Sequence, residues 1–321
     1  MTTRRRWVLL AMIAIVVALA GTVVLRDDTH HRFLWGANAA SRSDVEALES
    51  ESGERLRAIR MFAQWDDPFP TNDHLWVKGS GRTLVLSIKP VRADGSIIKW
   101  AKVADAKAGS TLYDDIVAWG EGVRTMHDTV YVVFHHEPEA KNNIAYGTAA
   151  DYRRAWARVV EIFRDKRVGN ARFLWTMTDL AFSVASSDRR AAAFWYPGDG
   201  VVDAIGADVY NWFDCAGGTK TWQSFASLAE PVRAFGQQHP DKPLFIPEFG
   251  SVEDPAKAGR KAAWIRNATA TLLQPDWKQF AGAMYFNYLD PGYPRCKWQI
   301  DSSPDALAAF AEMARANLKR P

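Results

Sequence analysis

Only two of the 321 residues are cysteine, and neither Gly-x-Gly-x-x-Gly nor Gly-x-x-x-x-Gly-Lys occurs anywhere in the chain. The first shortage excludes a disulfide-built scaffold, and the second removes the backbone cradles that nucleotide phosphates need. An excess of one charge is missing as well, with 40 Lys and Arg against 37 Asp and Glu. Three of the basic residues are Arg4, Arg5 and Arg6, so the rest of the chain is neutral. A neutral body lacks the basic stripe that nucleic-acid binding requires, and no nucleic-acid partner is expected. No Gly-x-Ser-x-Gly elbow is present, which disfavours an esterase. The paired histidines His135 and His136 have no cysteine nearby and no His-x-x-x-His spacing, so neither a metal nor another cofactor is expected. Repeats, low-complexity tracts and long linkers are also lacking. A single body is therefore a better reading of this length than two domains, because α/β barrels commonly run to about 250 residues or more as one unit.

What the chain does contain begins with an apolar run. The 19 residues from Trp7 to Leu25 carry no charge and lie between Arg4–Arg6 and Arg26-Asp27-Asp28. Such a segment directs export, and the basic end stays in the cytoplasm. Ala18-Leu19-Ala20 before Gly21 offers a signal peptidase a small-x-small site, while the length just suffices for a membrane span. Residues 7–25 thus read either as a cleaved signal, of general or twin-arginine type, or as a retained membrane tether. Residues 1–32 form the targeting segment with a short linker, and 33–321 form the body. In both cases the body lies outside the cell, secreted or anchored to the outer face of the membrane, and is expected to be monomeric.

Strand-like runs recur along the body at Phe33–Asn38, Ala58–Ala63, Thr83–Ile88, Val130–His136, Arg172–Thr176, Val202–Tyr210, Leu244–Pro247 and Ala281–Asn287. Between them lie stretches of helical period, such as Asp151–Asp165, with Tyr152, Ala155, Trp156, Val159, Val160 and Phe163 on one face, and Pro255–Leu273. Eight alternations of strand and helix predict a parallel sheet closed into a (β/α)8 TIM barrel.

Barrel enzymes carry their chemistry at the C-terminal edge of the strands. Two glutamates fall there: Glu137 after the fourth strand and Glu248 after the seventh, each delivered by an apolar run. Strands three apart in an eight-strand ring can set two carboxyls face to face. A separation of about 5–5.5 Å would suit a retaining glycosidase, one group serving as acid/base and the other as nucleophile.

The pair His136-Glu137, the run Pro247-Glu248-Phe249-Gly250 and the stretches Trp195–Asp199 and Val202–Asn211 together resemble glycoside hydrolase family 26, over roughly the whole body. That family holds β-mannanases with some β-glucan and β-xylan hydrolases, all retaining (β/α)8 enzymes. The resemblance implies Glu137 as acid/base, Glu248 as nucleophile, His136 as a substrate-binding neighbour of the acid, and Tyr210 as the tyrosine that hydrogen-bonds the nucleophile. It also implies a retaining endo-type β-glycanase acting on polysaccharide or oligosaccharide, β-1,4-mannan first and β-glucan or β-xylan second. Many mannanases of the family carry an arginine before the His-Glu pair and a Trp-Phe-Trp-Trp stretch after it. Here Val133 stands upstream and Pro138-Glu139-Ala140-Lys141 downstream. That departure keeps a non-catalytic polysaccharide-binding or assembly protein as the alternative.

Fourteen tryptophans suit a ligand with flat, partly apolar faces such as a sugar. Trp65, Trp212 and Trp298 follow the second, sixth and eighth strands and are expected to stack on sugar rings. Cys215 and Cys296 follow strands six and eight, and two cysteines in an exported chain predict one disulfide between them.

Overall fold

The computed structural model describes residues 33–215, 220–290 and 292–316. Eight strands run in chain order: β1 (Leu34–Asn38), β2 (Ala58–Gln64), β3 (Thr83–Lys89), β4 (Val130–Phe134), β5 (Ala171–Thr178), β6 (Ala204–Asn211), β7 (Leu244–Ser251) and β8 (Phe280–Phe286). Each pairs in parallel with its sequence neighbours, and β8 pairs with β1, so the sheet closes as a (β/α)8 barrel. The targeting segment read at residues 7–25 lies outside the described residues. Among those residues no helix is long and apolar enough to cross a membrane.

The helices are α1 (Arg42–Ser52), α2 (Asn72–Gly79), α3 (Thr111–Thr125), α4 (Ala149–Asp165), α5 (Phe225–Gly236), α6 (Arg260–Leu272) and α7 (Pro304–Arg315), with shorter turns between. Their starts are written in the sequence. Ser41 and Asp44 cap α1 reciprocally, as Thr148 and Asp151 cap α4, so the first free amides of both helices find acceptors. The apolar stripe expected on α4 is buried as a face against the sheet. The run read as helix from Pro255 begins only at Arg260, because Gly259, at φ 75°, turns the chain left-handed just before it. One alternation is weaker than expected: after β5 come two short helices, Asp179–Ser183 and Ala192–Trp195, which Pro197-Gly198 follow.

The barrel is filled by inward residues from successive strands, among them Ala58, Val85, Val133, Leu174, Ala204, Phe245 and Met284. A second apolar layer joins sheet to helices. A third cluster, Tyr210, Cys215, Val252, Cys296 and Trp298, sits beneath the loops that follow β6 and β8. The disulfide Cys215–Cys296 ties those loops together, with the Cα atoms 5.6 Å apart.

Two of the strand ends that differ from the sequence reading position the site. β4 stops at Phe134: His135 still donates its amide to the Ile88 carbonyl of β3, but its φ of 48° turns the chain out of the extended conformation. β7 continues past Pro247 to Ser251 through an offset in register: Gly206 opposes Phe245, but Asp208 opposes Glu248. Pro247 has no amide proton for the ladder, so the offset costs it nothing. A Cβ on Gly206 would lie 2.8 Å from the Pro247 ring, so only glycine fits beside it. The extra residue brings Glu248 to the register position opposite Asp208.

Candidate active site

A cleft of about 1050 Å³ opens on the C-terminal face, and Glu137, Glu248, His136, Tyr210, Trp212 and Trp298 all border it. Glu248 comes from within β7. Its Oε2 accepts the Tyr210 hydroxyl at 2.5 Å, and its Oε1 lies 3.0 Å from Nη1 of Arg60. Burial, then Glu248 and Asp208, hold the Tyr210 hydroxyl well above its ordinary range, so it keeps its proton and donates. Arg60 is fully buried. The same Nη1 also meets Asp208 at 3.0 Å, and Nε donates to Ser87. Burial opposes the Arg60 charge, but Asp208 and Glu248 outweigh it and raise its pKa.

Glu137 stands three residues beyond the end of β4, on a turn. His135 and Glu137 are both left-handed, at φ 48° and 50°. That costly backbone is held by hydrogen bonds: the Glu137 amide donates to the Thr176 carbonyl at 3.0 Å, and its carbonyl accepts from the Ala140 amide and from Asn143 Nδ2 at 2.8 Å. Burial, then Asp208, Glu248 and Glu139, push the Glu137 carboxyl well above the usual carboxylate range. This is the behaviour required of a group that must hold a proton until it is needed.

Both histidines stay uncharged. Burial, with Arg60, His135 and Lys89, drives His136 well below its ordinary pKa. Burial and Lys89 bring His135 to about 3. His135 packs beneath the turn, accepting from Trp100 Nε1 at 2.9 Å. His136 borders the cleft, 5.6 Å from the ring of Phe62.

The three tryptophans separate. Trp212 is half-buried in the cleft wall, with Tyr293 edge-on at 5.0 Å. Trp298 is only 1% exposed and supports that wall from below, 4.9 Å from Tyr210 and 5.0 Å from Trp212. The buried Lys261 braces its loop, donating to the carbonyls of Lys297, Trp298 and Gln299. Trp65 is not part of the cleft lining. It is buried in the core with Nε1 bonded to Asp115 at 2.9 Å, and its carbonyl accepts from Trp119. The expectation that Trp65 stacks on sugar is therefore corrected to an anchor, since its one polar atom is spent on a neighbouring helix.

Sequence reading missed Arg60, Phe62 and Glu139. Arg60 did leave a signal, as the only charge in the apolar run Ala58–Gln64. Phe62 is two residues further along β2, beside the Arg60 guanidinium, 38% exposed at the cleft rim. Among the described residues no group of three or more His, Cys, Asp or Glu side chains is placed to hold a metal ion.

Comparison with known proteins adds to this geometry. Endoglucanase H of Acetivibrio thermocellus is 26% identical over 294 residues, covering 89% of this chain and 30% of that protein, so the chain spans less than a third of that relative. The catalytic domain of an endo-β-1,4-mannanase from Bacillus sp. JAMB-750 superposes with a TM-score of 0.64 at 15% identity, covering 91% of this chain and 88% of that one. A β-mannanase from Bacteroides ovatus superposes at 0.59 and 14% identity, covering 91% and 93%. At such identities the superpositions speak for the fold alone. The profile of glycosyl hydrolase family 26 matches residues 103–270, more than half of the sequence, and the chain belongs to that family.

Proposed function

We propose that this family 26 chain is a retaining endo-type β-glycanase in which Glu137 is the acid/base and Glu248 the nucleophile. The observation that carries the reading is the contrast between two carboxyls in one cleft. Glu248 takes a hydroxyl donor on one oxygen and a guanidinium on the other, whereas Glu137 is pushed toward its protonated form. In the first step Glu248 attacks the anomeric carbon while Glu137 passes its proton to the departing glycosidic oxygen. In the second, Glu137 takes a proton from water, which attacks the anomeric carbon and frees Glu248. His136 and Trp212 contribute substrate contacts, one polar and one by stacking.

β-1,4-Mannan is the first substrate choice, supported by the fold shared with mannanases, and β-glucan the second, supported by the endoglucanase relative. β-Xylan follows. The barrel from residue 33 acts outside the cell, as a monomer, with residues 1–32 serving as signal or tether. The purified protein should be screened on β-mannan, mixed-linkage β-glucan and β-xylan, with product anomers followed by NMR. Retention of configuration and labelling of Glu248 by an activated fluorosugar are expected. Inversion rejects the mechanism, and the absence of any hydrolysis returns the chain to a polysaccharide-binding role.

A further inference from the structure

The cleft has two unlike flanks. Beside Glu248 its wall is aromatic, with Trp212, Tyr293 and Tyr288 from the loops after β6 and β8. Beside Glu137 it is made of Ala140, Lys141 and Asn142 after β4, Thr178 at the end of β5, and Asp179 and Leu180 beyond it, with no aromatic ring among them. The proposed chemistry gives these flanks a direction. Glu248 bonds to the anomeric carbon of the sugar that is retained, and Glu137 protonates the oxygen of the sugar that departs. The departing sugar therefore lies past Glu137, against the polar flank.

We propose that this flank is a leaving-group site that holds a neutral hexose by hydrogen bonds rather than by ring stacking, with Asp179 as the residue that selects it. The inference rests on the reading of function above. Asp179 Oδ1 accepts from the Leu180 amide at 2.9 Å, and no ion pair of Asp179 is found among the described residues. Burial lifts its carboxyl to about 7, so near neutrality it can accept a sugar hydroxyl or donate to one.

The residue before it is fixed from behind. Glu139 is buried, and its Oε1 accepts both the Thr178 amide, at 2.8 Å, and the Thr178 hydroxyl, at 2.6 Å. Its Oε2 has no hydrogen-bond partner among the described residues. Glu139 lies on the same turn as Glu137, so the acid and the polar wall are carried together, and Glu139 is a positioning residue for both. With the Asp179 carboxyl in this wall, that of Glu139 buried behind it and Lys141 as the one cation among the lining residues, an anionic uronate is a poorer fit than a neutral sugar.

The test uses the full chain and substrates that share a retained sugar but differ in what leaves. Asp179→Asn and Asp179→Leu are compared with wild type on β-1,4-mannopentaose and β-1,4-glucopentaose, each against the matching dinitrophenyl β-bioside. In Asp179→Leu the kcat/KM ratio of pentaose to aryl glycoside should fall about 10-fold or more, with Asp179→Asn intermediate because its amide still hydrogen-bonds. An unchanged ratio in both variants overturns the proposal. In transglycosylation, wild type should prefer methyl β-glucoside to methyl β-glucuronide as acceptor, and equal use overturns the neutral-sugar assignment. Wild type that cleaves neither pentaose nor aryl glycoside refutes the proposed function itself, and this inference with it.

Discussion

Asp208 and Glu248 are register partners across β6 and β7, and their carboxylates are held by the same nitrogen of Arg60 at 3.0 Å each. Neither side chain can relax away, since both strands are locked in the barrel. One buried cation therefore serves two facing carboxyls, and Glu137 adds a third carboxyl nearby, one that burial and these neighbours keep protonated.

Removing that cation should be costly. Arg60→Met is expected to destabilise the protein by about 3–5 kcal/mol, because it strands buried charges without a partner. Arg60→Lys should recover only part of this, since one ammonium cannot reproduce the guanidinium contacts to Asp208, Glu248 and Ser87. Urea unfolding of the three proteins checks the order, and wild-type stability in Arg60→Met would contradict it.

Glu139 gives a pH-dependent prediction with a definite sign. Burial raises its folded pKa from 4.5 to about 7. A carboxyl that holds its proton more tightly when folded contributes stability that is complete below about 4.5 and lost as pH rises through about 7. Glu139→Gln should remove that loss, gaining about 1–3 kcal/mol at pH 8 relative to pH 5 when compared with wild type. Glu139 also pushes the Glu137 pKa upward, so the alkaline limb of the kcat profile should move to lower pH in the variant. Parallel stability curves for the two proteins would refute the first claim, and an unmoved limb the second.

Trp212 and Trp298 should fail differently. Trp298→Ala empties a buried site and should cost about 3–5 kcal/mol of stability. Trp212→Ala is expected to leave melting nearly unchanged and to weaken oligosaccharide binding by about 1–3 kcal/mol. Calorimetric melting beside titration with oligosaccharide separates the two, and a reversed pattern would exchange their roles.

The disulfide joins the loops that carry Trp212 and Tyr293. Replacing Cys215 and Cys296 by serine opens a closure between residues 81 apart in sequence, worth roughly 3–5 kcal/mol on loop-entropy grounds. Loss of stability should be accompanied by a raised KM, because both wall aromatics lose their tether. A lower melting temperature with unchanged KM would show that the loops hold their shape without it.

The sequence made the barrel legible because each strand is a short apolar run, and such runs are read well by period alone. The two glutamates were legible for the same reason, each being the first carboxylate after such a run. What stayed hidden depends on direction and register. Trp65 and Trp212 both follow strands, yet one turns into the core to meet Asp115 and the other faces the cleft, and local pattern does not encode that turn. The offset at Pro247 could not be counted from one strand, since it is a relation between two.

The two carboxyls differ in how they are mounted. Glu248 is part of the sheet, so displacing it means deforming several strands. Glu137 sits on a left-handed turn held by one strand carbonyl and by Asn143 from the short helix Lys141–Tyr146. A shift of the loop after β4 can therefore displace Glu137 while Glu248 stays in place. Substitution of Asn143 should accordingly disturb Glu137 alone, whereas a change within β7 disturbs Glu248 and the barrel together.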